Sequence, residues 1–253
     1  MEKLTMYMVT HKQIEFIPKG RTPIFVGNGN CNLYLRDNVK ENISERNENY
    51  CELTALYWIW KNDKHSDFVS IEHYRRFFSK KYVLTSIIEK KEINKILEKD
   101  YVITSKPIST KMTTGEFYSA RHFKNDLLIA KEAIKKFFPE YIESFETVMN
   151  GHDCALYNMC AMKKEYFDAY CEWLFKVLFY VESKVDLSDR TPYQKRAFGF
   201  LSERLFNVWL LKNEIKVYCL PIYYRLDNGI DSFFKTIKCA LPKKPYDPKK
   251  PKL

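Results

Sequence analysis

Short apolar runs alternate along the chain with stretches of helical period, which is the pattern of strands and helices that follow one another. The run LTMYMV, Leu4 to Val9, is too short for a helix, breaks at Thr10-His11-Lys12, and reads as the first buried strand of a parallel sheet. A second short run, PIFVG from Pro23 to Gly27, is closed by the turn signal Asn28-Gly29-Asn30. After the polar segment Asn42–Tyr50, the residues Leu53, Leu56, Tyr57 and Trp60 recur at helical spacing, and Asn62-Asp63 ends that helix. The run DFVSI that starts at Asp67 is rich in strand formers and stops at Glu72-His73-Tyr74-Arg75-Arg76. That pattern predicts hydrogen-bonding side chains just past a strand's carboxyl end, where open α/β sheets bind ligands.

The second half continues the alternation. Ser86–Lys99 is an amphipathic covering helix, Tyr101–Thr104 a strand, and Ser109–Glu116 a polar stretch suited to a mobile acceptor loop. Helices are predicted over Asn125–Phe138, stopped by Pro139, and over Tyr141–Met149. His152–Met162 reads as one buried strand with Asp153 at its start and Asn158 within it. A long helix with aromatic residues on several sides, Lys164–Glu182, leads to an acidic loop, Val185–Arg190. A helix from Pro192 through Leu211 and a last strand, Ile215–Leu220, complete the series. The expectation is an α/β fold: a single domain over residues 1–242 with a mostly parallel central sheet and helices on both faces. Residues 243–253, KKPYDPKKPKL, form a basic, proline-rich tail that cannot bury a core and is expected to be disordered. Each basic residue near an anionic leaflet is worth about 1 kcal/mol, enough in sum for peripheral membrane contact.

Composition narrows the classes of function. The 253 residues carry a net charge of +10, so the surface should attract phosphates, nucleic acid or an acidic membrane. No zinc-finger spacing, RNA-recognition motif or basic zipper is present, which argues against nucleic acid. No Walker or dinucleotide fingerprint occurs and the chain has only 7 glycines, which argues against a P-loop kinase or a Rossmann dehydrogenase. The 7 cysteines are odd in number and form no Cys-x-x-Cys pair, as expected of reduced thiols in a cytoplasmic protein. The N-terminus lacks the apolar core of a signal peptide and no apolar run reaches the roughly 18 residues of a membrane span.

Several long motifs stand in a fixed order: NISERN, NYCELTALYWIWKN, EHYRRFF, YNMCAMKKEYFD, YCEWLF and FGFLSERLF. In them the sequence resembles a family of bacterial glycosyltransferases encoded with capsular and exopolysaccharide genes, first catalogued as domain of unknown function 4422. The resemblance covers most of the chain and implies a GT-A-like domain. It also implies transfer of a hexosyl or galactofuranosyl unit from a UDP-sugar to a growing bacterial surface polysaccharide or its lipid-linked oligosaccharide. Such an enzyme would work in the cytoplasm, at the inner face of the membrane. In GT-A enzymes the residues that end the first strand touch the nucleotide, so the resemblance points to Thr10, His11 and Lys12. The polar segment adds Asn42, Ser44 and Asn47 as donor-binding candidates, and the strand end adds Glu72, His73, Tyr74, Arg75 and Arg76. Adjacent arginines there are suited to gripping phosphate oxygens bidentately.

Glycosyl transfer needs a diphosphate cradle, compensation for charge on the leaving phosphate and, with inversion, a carboxylate base. Many GT-A enzymes hold a divalent metal in an Asp-x-Asp motif, and this sequence has none. Either Glu72 and His73 hold magnesium or manganese, or the arginines take the metal's place. One carboxylate and one imidazole are thin ligation for a hard cation, which favours the arginines and no required cofactor. For the base the choice is Glu203, a carboxylate beside Arg204 on an otherwise apolar helix, with Asp153 second. Arg204 and His152 are the acceptor-side candidates. A non-catalytic protein that binds carbohydrate or an anionic surface would use the same aromatic and basic content without needing Glu203.

Overall fold

A computed structural model describes residues 3–80 and 86–225 of the chain. The basic tail, the end of the predicted domain up to residue 242 and Cys239 lie outside the described residues. The first part holds strands β1 (Leu4–Thr10), β2 (Arg21–Phe25) and β3 (Leu35–Arg36), then helices α1 (Asn47–Tyr50) and α2 (Leu53–Asn62). Next come β4 (Phe68–His73), β5 (Arg76–Phe78), α3 (Lys90–Leu97), β6 (Val102–Ser105) and β7 (Ile108–Ser109). Helices α4 (Thr114–Ser119), α5 (Lys124–Phe137) and α6 (Ile142–Asn150) follow. Strands β8 (Asp153–Cys154) and β9 (Cys160–Lys163), helices α7 (Lys164–Glu182), α8 (Pro192–Lys195) and α9 (Ala197–Lys212), and strands β10 (Val217–Leu220) and β11 (Ile222–Tyr224) complete it.

The central sheet runs in the order β10-β6-β9-β4-β1-β2-β3, and β5 and β11 form a side ribbon on β4. Pairing is parallel between β10 and β6, β4 and β1, β1 and β2, and β2 and β3; β9 lies antiparallel between β6 and β4. Side chains alternate across the strands as the pleat requires. Tyr7, Val9, Val69, Ile71 and Met162 face the layer built by α2, α5, α7 and α9. Leu4, Met6, Phe68 and Ala161 face the opposite side, where α3 lays down Ile93 and Leu97 beside Phe78 of the ribbon. The aromatic surround of α7 is explained by its neighbours: Phe175 stacks on Trp60 of α2 at 5.8 Å, and Tyr170 meets Phe206 of α9 at 4.8 Å.

Three segments differ from the pattern-based expectation. The single strand predicted over His152–Met162 is two strands, broken by a turn in which Tyr157 and Asn158 take φ of 82° and 50°. In that turn the Asn158 side chain bonds off the sheet, to Glu52, the Gly199 carbonyl and Ser202. The polar stretch Ser109–Glu116 is not a free loop, because Thr113 caps α4 and Glu116 reaches back to the Thr113 N–H. Strand β4 runs on to His73, and the turn is Tyr74-Arg75, so Glu72 sits inside the sheet rather than past its end.

That placement decides what Glu72 does. It is fully buried on the α3 face, with Oε2 accepting from Arg21 Nε at 2.8 Å and Oε1 from the Phe78 N–H at 2.8 Å. Arg21 donates further to the Ile88 carbonyl at 2.8 Å. Burial raises the Glu72 pKa, opposed by the Arg21 charge. No helix among the described residues is long and apolar enough to cross a membrane.

Gly27, at the end of the β2 connection, is required by geometry. Its φ is +79°, and a Cβ there would stand 2.8 Å from Asn47 Oδ1. Gly27→Ala should cost about 1–2 kcal/mol from the left-handed backbone alone, and the displaced Asn47 makes it more. Chemical denaturation of the variant checks this; an unchanged midpoint would show that the turn relaxes freely.

Candidate functional site

A cleft of about 540 Å³ opens at the carboxyl ends of β1 and β4. Thr10 ends β1 at its floor with His11 just past it, and His73 ends β4 beside them. The Tyr74-Arg75 turn and Arg76 form one wall. The opposite wall is the junction of α1 and α2, with Asn47, Glu48, Cys51 and Glu52, and Arg196 between α8 and α9 closes the top. This is the ligand position of an open α/β sheet.

Local bonds hold these groups in place. Thr10 Oγ1 donates to the Lys12 carbonyl at 2.7 Å and fixes the chain as it leaves β1. Asn47 Nδ2 donates to the Cys51 carbonyl at 2.7 Å and to Thr54 Oγ1 at 3.1 Å, tying α1 to α2 across Cys51, whose φ is 53°. Arg196 Nε donates to Cys51 Sγ at 3.1 Å. His11 meets the Tyr74 ring edge-on at 5.3 Å, and the Arg75 guanidinium lies 5.1 Å from the same ring. Arg76 lies 4.8 Å from the Tyr157 ring, and its buried Nε has no hydrogen-bond partner among the described residues.

The field in the cleft is positive. Burial lowers the His11 pKa, and Lys12, Arg75 and Arg196 lower it further. His73 is lowered as well, first by burial, with Glu52 acting against the shift. Its Nε2 sits 2.6 Å from the Tyr157 carbonyl, so that nitrogen carries the proton of a neutral ring. The Cys51 thiol is pushed up to about 12, chiefly by burial, so it is no nucleophile. In the α1–α2 wall, Glu52 Oε1 accepts from Asn158 Nδ2 at 2.7 Å; Asn158 also donates to the Gly199 carbonyl and accepts from Ser202.

The cleft brings together Thr10, His11 and Asn47 with His73, Tyr74, Arg75 and Arg76. Lys12 lines a neighbouring cavity with Tyr74 and Arg75 instead. Asn42 and Ser44 lie away from the cleft: Asn42 caps the Ser44 N–H at 3.1 Å, and the Ser44 hydroxyl donates to Asp37 at 2.7 Å. Glu72 does not reach the cleft either. Adjacent residues of a strand point to opposite faces, so Glu72 and His73 cannot converge on one magnesium or manganese ion. Among the described residues no group of three or more His, Cys, Asp or Glu could hold a metal.

The base and acceptor candidates also lie elsewhere. Glu203 sits behind the cleft with Oε1 accepting from the Tyr157 N–H at 2.8 Å and Oε2 paired with Arg204 at 2.6 Å. Burial raises its pKa, with Arg204 opposing. A carboxylate held this way braces the Tyr157-Asn158 turn. Asp153 accepts from Ser109 in the β7–β8 pair. Arg204 and His152 both line a separate recess beside Thr114 that is too small for a sugar.

Glu48, Cys51, Glu52 and Arg196 are among the cleft residues that escaped sequence reasoning. For the two glutamates a signal existed, since they stand four apart in NENYCE next to Asn47. Arg196 gave none, because it lies 145 residues from the Cys51 it touches.

Among solved structures the chain is similar to one described as a WbbM bifunctional glycosyltransferase in its apo form, with a TM-score of 0.80 and 27% identity. The match covers 90% of this chain and 46% of that one, so this chain spans less than half of its relative's length. The fold is therefore a glycosyltransferase fold: a mostly parallel α/β sheet with its cleft at the strand ends. Residues 5–214 match the family described as Domain of unknown function (DUF4422), and the chain belongs to that family. No curated protein sequence matches it.

Proposed function

We propose that the protein is a glycosyltransferase that binds a nucleotide-sugar in the cleft at the ends of β1 and β4 and passes the sugar to a saccharide hydroxyl. The observation that carries the proposal is that one cleft holds both Arg76, whose buried Nε has no hydrogen-bond partner among the described residues, and the Glu52 carboxylate. Arg76, with Arg196, takes the diphosphate and compensates its charge as the bond from the anomeric carbon to the phosphate oxygen breaks. Those cations do the work that a metal does in enzymes with an Asp-x-Asp motif. Glu52 accepts the proton of the acceptor hydroxyl as its oxygen bonds to the anomeric carbon. Asn47 and Glu48 face the same space and supply hydrogen bonds to donor hydroxyls. The donor is a UDP-sugar carrying a hexosyl, including galactofuranosyl, unit. The acceptor is a growing bacterial surface polysaccharide or its lipid-linked oligosaccharide, met at the inner face of the membrane; the resemblance in the sequence motifs supports both assignments.

The test is incubation with a panel of nucleotide-sugars and oligosaccharide acceptors, reading release of nucleoside diphosphate. One UDP-sugar should be turned over. Saccharide binding with no diphosphate released from any donor would replace the proposal with a carbohydrate-binding role. Arg76→Ala should weaken UDP binding by about 1.5–3 kcal/mol, or roughly ten- to a hundredfold. Calorimetry decides this, and unchanged affinity would assign the diphosphate to other residues.

A further inference from the structure

A second cavity of about 290 Å³ adjoins the cleft and shares the Tyr74-Arg75 turn with it. Among the described residues its wall carries Lys12, Arg75 and Arg225 with one carboxylate, Glu15. Two aromatic rings shape it. The Arg225 guanidinium lies 4.3 Å from the centre of the half-exposed Phe16 ring, and Lys12 Nζ lies 5.6 Å from that of Tyr74. The two arginines are held at one level by the Arg225 N–H, which donates to the Arg75 carbonyl at 3.0 Å. This cavity has no part in the donor-binding described above.

We infer that this cavity is a second oxyanion site that grips the phosphate or diphosphate of a phosphorylated acceptor while the donor occupies the main cleft. The inference rests on the proposed function for the order of events, but the cavity's ligand chemistry stands by itself. Lys12 and Arg225 around so small a volume favour an anion with several oxygens, and Arg presents its donors in a fork that matches phosphate. Position selects the acceptor as its bearer: the donor's diphosphate is met by Arg76 and Arg196 on the far side of the turn, so an anion in the second cavity belongs to another molecule. Such a molecule enters along Tyr74 and brings its sugar hydroxyl to the mouth of the cleft. Lys12 is thereby assigned to the acceptor's phosphate rather than to the nucleotide.

Inorganic pyrophosphate is the direct probe. Titration of the protein should reveal two sites, of which saturating UDP displaces one and leaves the other. Arg225→Ala and Lys12→Ala should each weaken the UDP-insensitive site about tenfold or more, and Arg225→Lys should restore most of it. Loss of all pyrophosphate binding in the presence of UDP, or a UDP-insensitive site untouched by both alanine variants, overturns the inference. If UDP displaces nothing, the donor reading fails while the second site survives, so the two failures are distinct. Vesicles of phosphatidylglycerol give the other arm: binding to them that depends on Arg225, with no pyrophosphate site dependent on it, would reassign the cavity to a lipid surface.

Discussion

Glu52→Gln is expected to lower turnover by about two to four orders of magnitude while leaving the melting temperature and donor affinity close to those of the parent. Glutamine keeps the shape of the side chain, and its carbonyl oxygen can still accept from Asn158 Nδ2, which Glu52 Oε1 does at 2.7 Å. What it loses is the capacity to take the acceptor's proton. The same change at Glu203 separates the two carboxylates. Glu203 is held by the Tyr157 N–H and by Arg204, so Glu203→Gln removes the counter-charge of a buried arginine and should act first on stability. Turnover and thermal unfolding measured on both variants decide the matter. Parent-like turnover in Glu52→Gln, with Glu203→Gln inactive yet fully stable, would exchange their roles.

Arg21→Ala should be the most destabilising single change, by about 3–5 kcal/mol and hence by roughly 6–20 °C in melting temperature. Glu72 is fully buried and would keep only the Phe78 N–H as partner. The pH dependence has a definite sign. In the parent, burial already raises the Glu72 pKa above 4.5 despite Arg21, and loss of Arg21 raises it more. A carboxyl whose folded pKa lies above its unfolded value binds the proton more tightly when folded, so its destabilising effect grows as pH rises above about 4.5. The deficit of Arg21→Ala should therefore shrink on acidification. Arg21→Met with Glu72→Leu should recover most of the stability, since two apolar groups leave no charge unpaired. A deficit independent of pH, or persisting in the double variant, would show that Arg21 acts through packing alone.

The strands β1, β4, β6 and β10 were legible because each is a short apolar run with a polar stop, and the helices α5 and α7 because apolar residues recur at helical period over several turns. The strand-end rule found the floor of the cleft from one chain segment, since Thr10, His11, His73 and the Tyr74-Arg75 turn are local consequences of where β1 and β4 end. The same rule ended β4 two residues early, at Ile71 instead of His73, and so put Glu72 past the strand end, whereas it lies inside the strand and points to the face opposite His73. The capping box of Thr113 and Glu116 was also present in the sequence, and its polar composition concealed it.

By itself, then, the sequence determined the α/β alternation, the sheet's buried faces, the cationic character of the cleft and the motifs that place the chain in its family. These depend on residues near one another along the chain. Which carboxylate faces the cleft was decided only by tertiary structure. Glu52 and Glu203 are both flanked by apolar and polar neighbours in sequence, yet a turn with positive φ at Tyr157 and Asn158 takes the backbone N–H to Glu203 and the side-chain amide to Glu52. The contacts of Arg196 with Cys51 and of Arg21 with Glu72 likewise join segments that meet only after the sheet and its helices have packed. A buried charge takes whatever partner the packed chain brings within hydrogen-bond reach, and no local pattern records that distance.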